Sequence, residues 1–197
     1  MLINQAIVYF KNEEGRYKEA GNIKNAVPFL HQDPDSDEIL GQCEESGRDQ
    51  GHATLCVSLM GAFCQMAYSI GEDLFAFDNY RAVAMAEYVG KYNLIKDEAF
   101  NKGTLVGDDF VYDSNSFPYT SYSNPSYTNT TISTDQRGTK RPAWELFYGY
   151  CKAKGISSIY SGKWAEQMRP DGGGGNYGPN SGGFDQLGFG TLMYYRE

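Results

Sequence analysis

The chain has 197 residues and a net charge of −8, from 17 basic and 25 acidic side chains. That suits one domain and argues against a general nucleic-acid or anionic-membrane surface, which needs clustered Lys and Arg. No apolar run is long enough to span a membrane, and Met1-Leu2-Ile3-Asn4-Gln5 lacks the basic and apolar regions of a signal peptide.

Taken in order, Leu2, Ile3, Ala6, Ile7 and Phe10 recur with a helical period, which predicts a short amphipathic helix ending near Asn12. Residues 15–47 read as a polar, irregular connection with Pro28, Pro34, an acidic run from Asp33 to Glu38, and His31 as a solvated loop histidine. Then comes Glu44-Glu45-Ser46-Gly47-Arg48-Asp49-Gln50-Gly51-His52, followed by an apolar run recurring at three- and four-residue steps: Ala53, Leu55, Cys56, Leu59, Met60, Phe63, Met66, Ala67 and Ile70. This predicts a buried helix over about 50–70 whose first turn carries chemically able side chains. Groups this polar at the mouth of a core helix need partners or a ligand.

A turn at Gly71–Asp78 leads to a second helix from about Asn79 to Tyr92, with Asp78 as its N-cap. Residues 93–138 are rich in Ser, Thr, Tyr, Asn and Gly. Tyr112, Tyr119, Tyr122 and Tyr127 argue against disorder there, so an ordered tyrosine-rich lid or short strands are expected. A third helix starts at Arg141-Pro142-Ala143-Trp144-Glu145 and ends at Lys154-Gly155, and a fourth covers about 157–168. The tail from Arg169 to Gly190 is glycine-rich but lacks the Lys-Ser/Thr ending of a phosphate loop.

The cysteines are at 43, 56, 64 and 151. Cys56 and Cys64 lie roughly 12 Å apart on one helix, too far for a disulfide. With no CxxC pair, no metal site is expected, and the four read as buried structural thiols. The high aromatic content, 15%, fits either core packing or sugar recognition, where ring faces stack on pyranose faces.

Helices joined by a short turn are usually antiparallel neighbours. The end of the second then lies beside the start of the first, which brings Tyr88, Tyr92 and Asn93 toward Arg48, Gln50 and His52. Arg141, with Arg137, joins from the start of the third. The plain alternative is that Arg48 and Asp49 only cap and charge-pair at a helix start.

The stretches Glu45–His52, Lys91-Tyr92-Asn93-Leu94, Arg141–Glu145 and Tyr177–Gly188 resemble alginate lyase-type polysaccharide lyases. The likeness runs from about residue 40 to the end, and the first motif is its most specific part. Arg81 and Tyr88, seven apart on one helix, are similarly spaced to a pair in some toroidal lyases. The resemblance implies a mainly α fold, an α/α toroid of antiparallel helical hairpins with long Tyr/Gly-rich loops. Members are usually about twice this length, so residues 1–197 would form its C-terminal half, an incomplete toroid covered by an N-terminal half or a second copy. It also implies β-elimination on an acidic polysaccharide or oligosaccharide, with no cofactor, in the periplasm or outside the cell.

β-Elimination on a uronate needs the carboxylate neutralised, a base for the C5 proton, and an acid for the departing O4. Arg48, Gln50, Asn93 and Arg141 suit substrate binding and the stabilisation of developing enolate charge. His52 suits the base or a carboxylate-neutralising donor. Tyr92, with Tyr88 as second choice, suits the acid or acid/base, and a basic role requires a cation such as Arg48 or Arg141 nearby. Two other functions fit the same residues. A toroidal glycoside hydrolase would use facing carboxylates drawn from Glu44, Asp49, Glu145 and Asp185. A non-catalytic glycan-binding or structural fragment would use none.

Overall fold

A computed structural model describes residues 2–12, 22–124 and 127–169, so the glycine-rich tail and the Tyr177–Gly188 motif lie outside the described residues. Six α-helices are present among them: α1 Leu2–Lys11, α2 Ile23–Ala26, α3 Gln50–Tyr68, α4 Phe77–Asn93, α5 Trp144–Lys154 and α6 Ile159–Met168. Strands β1 Phe29–Gln32 and β2 Ile39–Gln42 form one antiparallel pair, and β3 Tyr122–Asn124 and β4 Tyr127–Asn129 a second.

This corrects the expected α/α toroid of helical hairpins: the architecture is a mixed α/β one with two small antiparallel sheets. The reason lies in residues 29–42, which the sequence presents as a polar loop. Leu40 is fully buried, and a side chain at Gly41 would collide with Val27 and with the Met85 backbone, so β2 lies directly on α4. The turn closes on Asp33, whose carboxylate accepts from Asp35 N at 3.0 Å and Ser36 Oγ at 2.7 Å. A hairpin thus takes the place beside α4 that another helix would hold in a toroid.

Helix α3 begins where expected, with Asp49 Oδ1 capping His52 N at 2.7 Å. Its inner face, Ala53, Val57, Gly61, Cys64 and Ala67, is buried, but Leu59, Met66 and Ile70 are exposed rather than packed. The helix is therefore one-sided. Helix α4 is the opposite case, buried on every side from Ala82 to Asn93. Its start departs from the expectation of a simple Asp78 cap. Asp78, Asn79 and Tyr80 all take left-handed φ of 50°, 56° and 60°, and Arg81 Nε bonds Asp78 at 2.5 Å.

Helices α5 and α6 close the other side of α4. Gly155, at φ 67°, ends α5 in the left-handed conformation that lacks a Cβ penalty. Trp144 and Trp164 stack at 5.2 Å and 14°, and Trp164 Nε1 donates to Gly90 O at 2.9 Å. Burying aromatic side chains of this size stabilises the fold by about 2–3 kcal/mol each. The buried Glu87 of α4 accepts from Tyr160 N at 2.8 Å and Ser161 N at 3.0 Å, which caps α6 from outside its own segment. Burial pushes this carboxyl up to about 7, against the pull of those bonds.

Lys91, one turn further along α4, is buried in an ion pair with Asp33 and reaches Asp35 at 2.6 Å. Tyr160 donates to Asp33 at 2.5 Å. Burial alone would raise the Asp33 carboxyl, but the bonds from Lys91, Tyr160 and Ser36 outweigh it and hold it down at about 2. Among the described residues no helix is long and apolar enough to cross a membrane.

Candidate functional site

The 3-10 turn Glu44–Gly47 feeds directly into α3, so the side chains of residues 48–52 emerge at one helix mouth. They divide by depth. Gln50 turns inward and is buried. Its Nε2 donates to Ser46 O at 2.9 Å and Ser133 O at 3.0 Å, while its Oε1 accepts from Asn93 Nδ2 at 2.9 Å. Asn93 Oδ1 in turn accepts from Gly138 N at 2.9 Å. The two amides are thus satisfied by one another and by the 133–138 segment, and the bond between them joins the end of α4 to the start of α3, as the antiparallel argument expects.

His52 and Arg48 turn outward. The His52 side chain is 41% exposed and its Nδ1 lies 2.6 Å from Asp49 Oδ2. A carboxylate can only accept, so Nδ1 carries a proton, and the neutral form of the ring presents its lone pair at Nε2. Arg48, 48% exposed, reaches the same Asp49 oxygen at 3.7 Å and Glu45 at 3.4 Å. A dyad oriented by a helix cap and flanked by a guanidinium is an arrangement able to take a proton from a bound acidic molecule.

Arg141 is placed beneath rather than beside this dyad. It is buried, with Nε donating to Thr54 Oγ1 at 3.3 Å and Nη2 to Gly51 O at 3.4 Å. Both tyrosines are interior as well. Tyr88 donates to Pro118 O at 2.8 Å and stacks on His31 at 5.9 Å. Tyr92 packs on Phe117 at 4.9 Å, and its hydroxyl is buried without a hydrogen-bond partner among the described residues. Among those residues the His52 ring bonds to Asp49 and to no tyrosine hydroxyl. Burial raises both phenols, Tyr88 well above its ordinary value; for Tyr92 the nearby Arg137 works in the opposite direction. Arg137, over the Tyr92 ring at 4.0 Å, is the cation nearest that tyrosine, where Arg48 or Arg141 was expected, but burial outweighs it and the phenol stays raised. It also ties Tyr92 O and Tyr112 O together at 2.7 Å each.

Comparison with protein-family models, with curated proteins and with solved structures finds no match.

The tyrosine-rich stretch expected as a lid or strands meets the helix mouth, a contact the sequence did not show. A side chain at Gly47 would run into the Tyr119 hydroxyl and Asn129, so this segment lies on the turn that precedes Arg48. Tyr122 donates to Glu44 Oε2 at 3.1 Å and Tyr127 to Glu44 O at 3.5 Å. Burial raises the Glu44 carboxyl, against the Tyr122 bond. Three half-buried tyrosines therefore rim the helix mouth, Tyr122 and Tyr127 on the short strands that were one of the two expectations for this stretch and Tyr119 just before them. Asp49 was legible as a residue three before His52 on a first helical turn; Tyr119 was not, because its contact spans some seventy residues. A cleft of about 600 Å³ lined by Ile95, Lys96, Glu98, Val111, Lys163 and Glu166 includes none of the site residues. No metal-binding cluster of three His, Cys, Asp or Glu occurs among the described residues.

Proposed function

We propose that the chain belongs to a polysaccharide lyase that cleaves uronic-acid-containing glycans, alginate-like in type, by β-elimination, and that it works in the periplasm or outside the cell. The observation that carries this reading is the His52–Asp49 pair, with its ring open to solvent and Arg48 alongside. The resemblance of Glu45–His52 and the other motifs to alginate lyases supports it from the sequence side.

In this mechanism Arg48 binds the uronate carboxylate and neutralises it, which makes the C5 proton acidic. His52 Nε2 removes that proton while Asp49 holds the ring's tautomer and balances the imidazolium that forms. The electron pair forms the C4–C5 double bond, and the departing O4 takes a proton from a phenol. A raised phenol keeps its proton, so the tyrosine acts as acid rather than base. Tyr92 and Tyr88 reach substrate only if the 112–120 segment that covers them moves; Tyr119, at the rim, needs no such movement. Gln50, Asn93 and Arg141 shape the floor of the site through their mutual and backbone bonds.

The test is to mix the purified chain with uronate polymers and follow the ultraviolet absorbance of the unsaturated uronyl product. A rise that drops by about a hundred- to ten-thousand-fold in His52→Ala, with helical circular dichroism intact, is the expected result. New reducing ends without absorbance would replace the lyase by a hydrolase working through Glu44 and Asp49. Binding without either product would leave a glycan-binding fragment. Tyr119→Phe, Tyr92→Phe and Tyr88→Phe assign the acid.

A further inference from the structure

From Gln50 to Ile70 the chain holds no Asp, Glu, Lys or Arg, whereas a helix face turned to water is ordinarily charged. The outward side of α3 runs instead through His52, Cys56, Leu59, Phe63 and Met66 to Ile70 just past its end. Leu59, Met66 and Ile70 are 55%, 53% and 52% exposed, and Cys56 and Phe63 are half-buried. Among the described residues α1 shields one flank of this stripe, where Phe10 meets Phe63 at 5.6 Å. The rest is an apolar strip open to water, of the kind that marks an interaction surface.

The positions step by four, three, four, three and four residues, the spacing of a two-helix seam. The steps read the same from either end. A second copy laid antiparallel, with a twofold axis at the level of Gly61, sets Leu59 against the partner's Phe63 and Cys56 against the partner's Met66. His52 then lies at the level of the partner's Ile70. Charge favours the same face. In a chain of net charge −8 most surfaces repel their own copy, and this one brings no carboxylate to the seam.

We propose that two copies of the chain associate through the outward faces of α3, as an antiparallel twofold pair. The 19-residue helix is about 28 Å long, and a seam of that length covers on the order of 500 Å² per copy. That is the low end of specific interfaces, so the pair is a weak, reversible one. Pairing covers Leu59, Met66 and Ile70, leaves the inner face of α3 untouched, and ends each helix mouth beside the partner's Ile70. The inference goes beyond the lyase reading and does not depend on it, since association is read without substrate.

Sedimentation equilibrium of the full chain in reductant tests it. A reversible monomer–dimer equilibrium with a Kd of roughly 1–100 μM is expected. Leu59→Lys should weaken it by roughly a hundredfold or more, because both copies lose the contact, with helical circular dichroism unchanged at this exposed position. Ile39→Lys, at an exposed apolar position on β2, should leave it unchanged. Met66→Cys fixes the direction: diamide should join two chains through Cys56 of one and the introduced thiol of the other, which lie roughly 15 Å apart within one helix. The unaltered chain should form no Cys56–Cys56 link, which a parallel pair would permit. A chain that stays monomeric up to about a millimolar overturns the proposal and leaves the face to a different protein. A dimer that survives Leu59→Lys or is broken by Ile39→Lys, no link in Met66→Cys, or a Cys56–Cys56 link in the unaltered chain would each overturn it too.

Discussion

Two aspartates organise two clusters of similar make-up and opposite fate. Asp33 holds Lys91 and Tyr160 in the interior, where lysine and aspartate side chains are 1% and 0% exposed. Asp49 holds His52 and Arg48 at the surface, where the partners are 41% and 48% exposed. In the first, the Lys91 and Asp33 charges have been taken out of water, with Asp35 joining Lys91 from the solvent side, so their pairing must be complete and the cluster fastens the β1–β2 turn to α4 and α6. In the second, water remains available, so the same kind of pairing contributes little to stability and leaves a ring nitrogen for chemistry. Depth, rather than residue type, separates an anchor from a candidate site.

Removing one partner from each cluster tests that contrast most strongly. Lys91→Met strands a buried carboxylate and should destabilise the chain by about 3–5 kcal/mol in urea unfolding, whereas His52→Ala should cost under about 1 kcal/mol. Equal losses would break the comparison. Asp33→Asn added to Lys91→Met should return much of the loss, since no unpaired charge then stays inside.

The pH dependence of stability sharpens it next. Glu87 is raised from 4.5 to about 7 by burial, so its folded form holds a proton that the unfolded chain gives up. Its contribution is complete below 4.5 and fades as pH climbs through 7, by about 3 kcal/mol for a shift of this size. Asp33 runs the other way: lowered from 3.8 to about 2, it contributes fully above 3.8 and loses that as pH falls toward 2. Together they place the best stability between 3.8 and 4.5. Melting temperatures across pH 4.5 to 7 should fall in the native chain and stay flat in Glu87→Gln; parallel curves would remove Glu87 from the argument.

At the surface cluster, Asp49→Asn keeps a good N-cap while removing the charge that orients His52. Elimination should drop by about a hundredfold with stability changed by only a few tenths of a kcal/mol. A stability loss matching the activity loss would reduce Asp49 to a cap. The smallest effect is expected at α4, where Asn79 holds a left-handed φ of 56°. Asn79→Gly relieves that conformation and should stabilise by about 1 kcal/mol, read from the unfolding midpoint.

Sequence periodicity carried the helices well. The period placed α3 but not its buried face: of the stripe from Ala53 to Ile70 only Ala53 and Ala67 are buried, and Val57, Gly61 and Cys64 form the rest of the inner side, while α4, expected over about 79–92, is buried all round from Ala82. The Gln50–Asn93 bond followed from antiparallel geometry alone. What escaped was non-local. The hairpin at 29–42 looks like a loop because its inward residues include a glycine and its turn is acidic; only the missing Cβ of Gly41 against α4 and the Lys91 contact to Asp33 make it a strand pair. Tyr92 looked like an acid beside His52, yet adjacent residues on a helix point about 100° apart, so Asn93 reaching Gln50 turns Tyr92 toward Phe117 instead.

The chain's only two tryptophans are the stacked pair Trp144 and Trp164, one on α5 and one on α6. Intrinsic indole emission therefore reports the seam between those two helices and says nothing of the helix mouth on α3. Fluorescence will follow denaturation there faithfully, while a glycan settling beside His52 must be watched through the tyrosines or a label of its own.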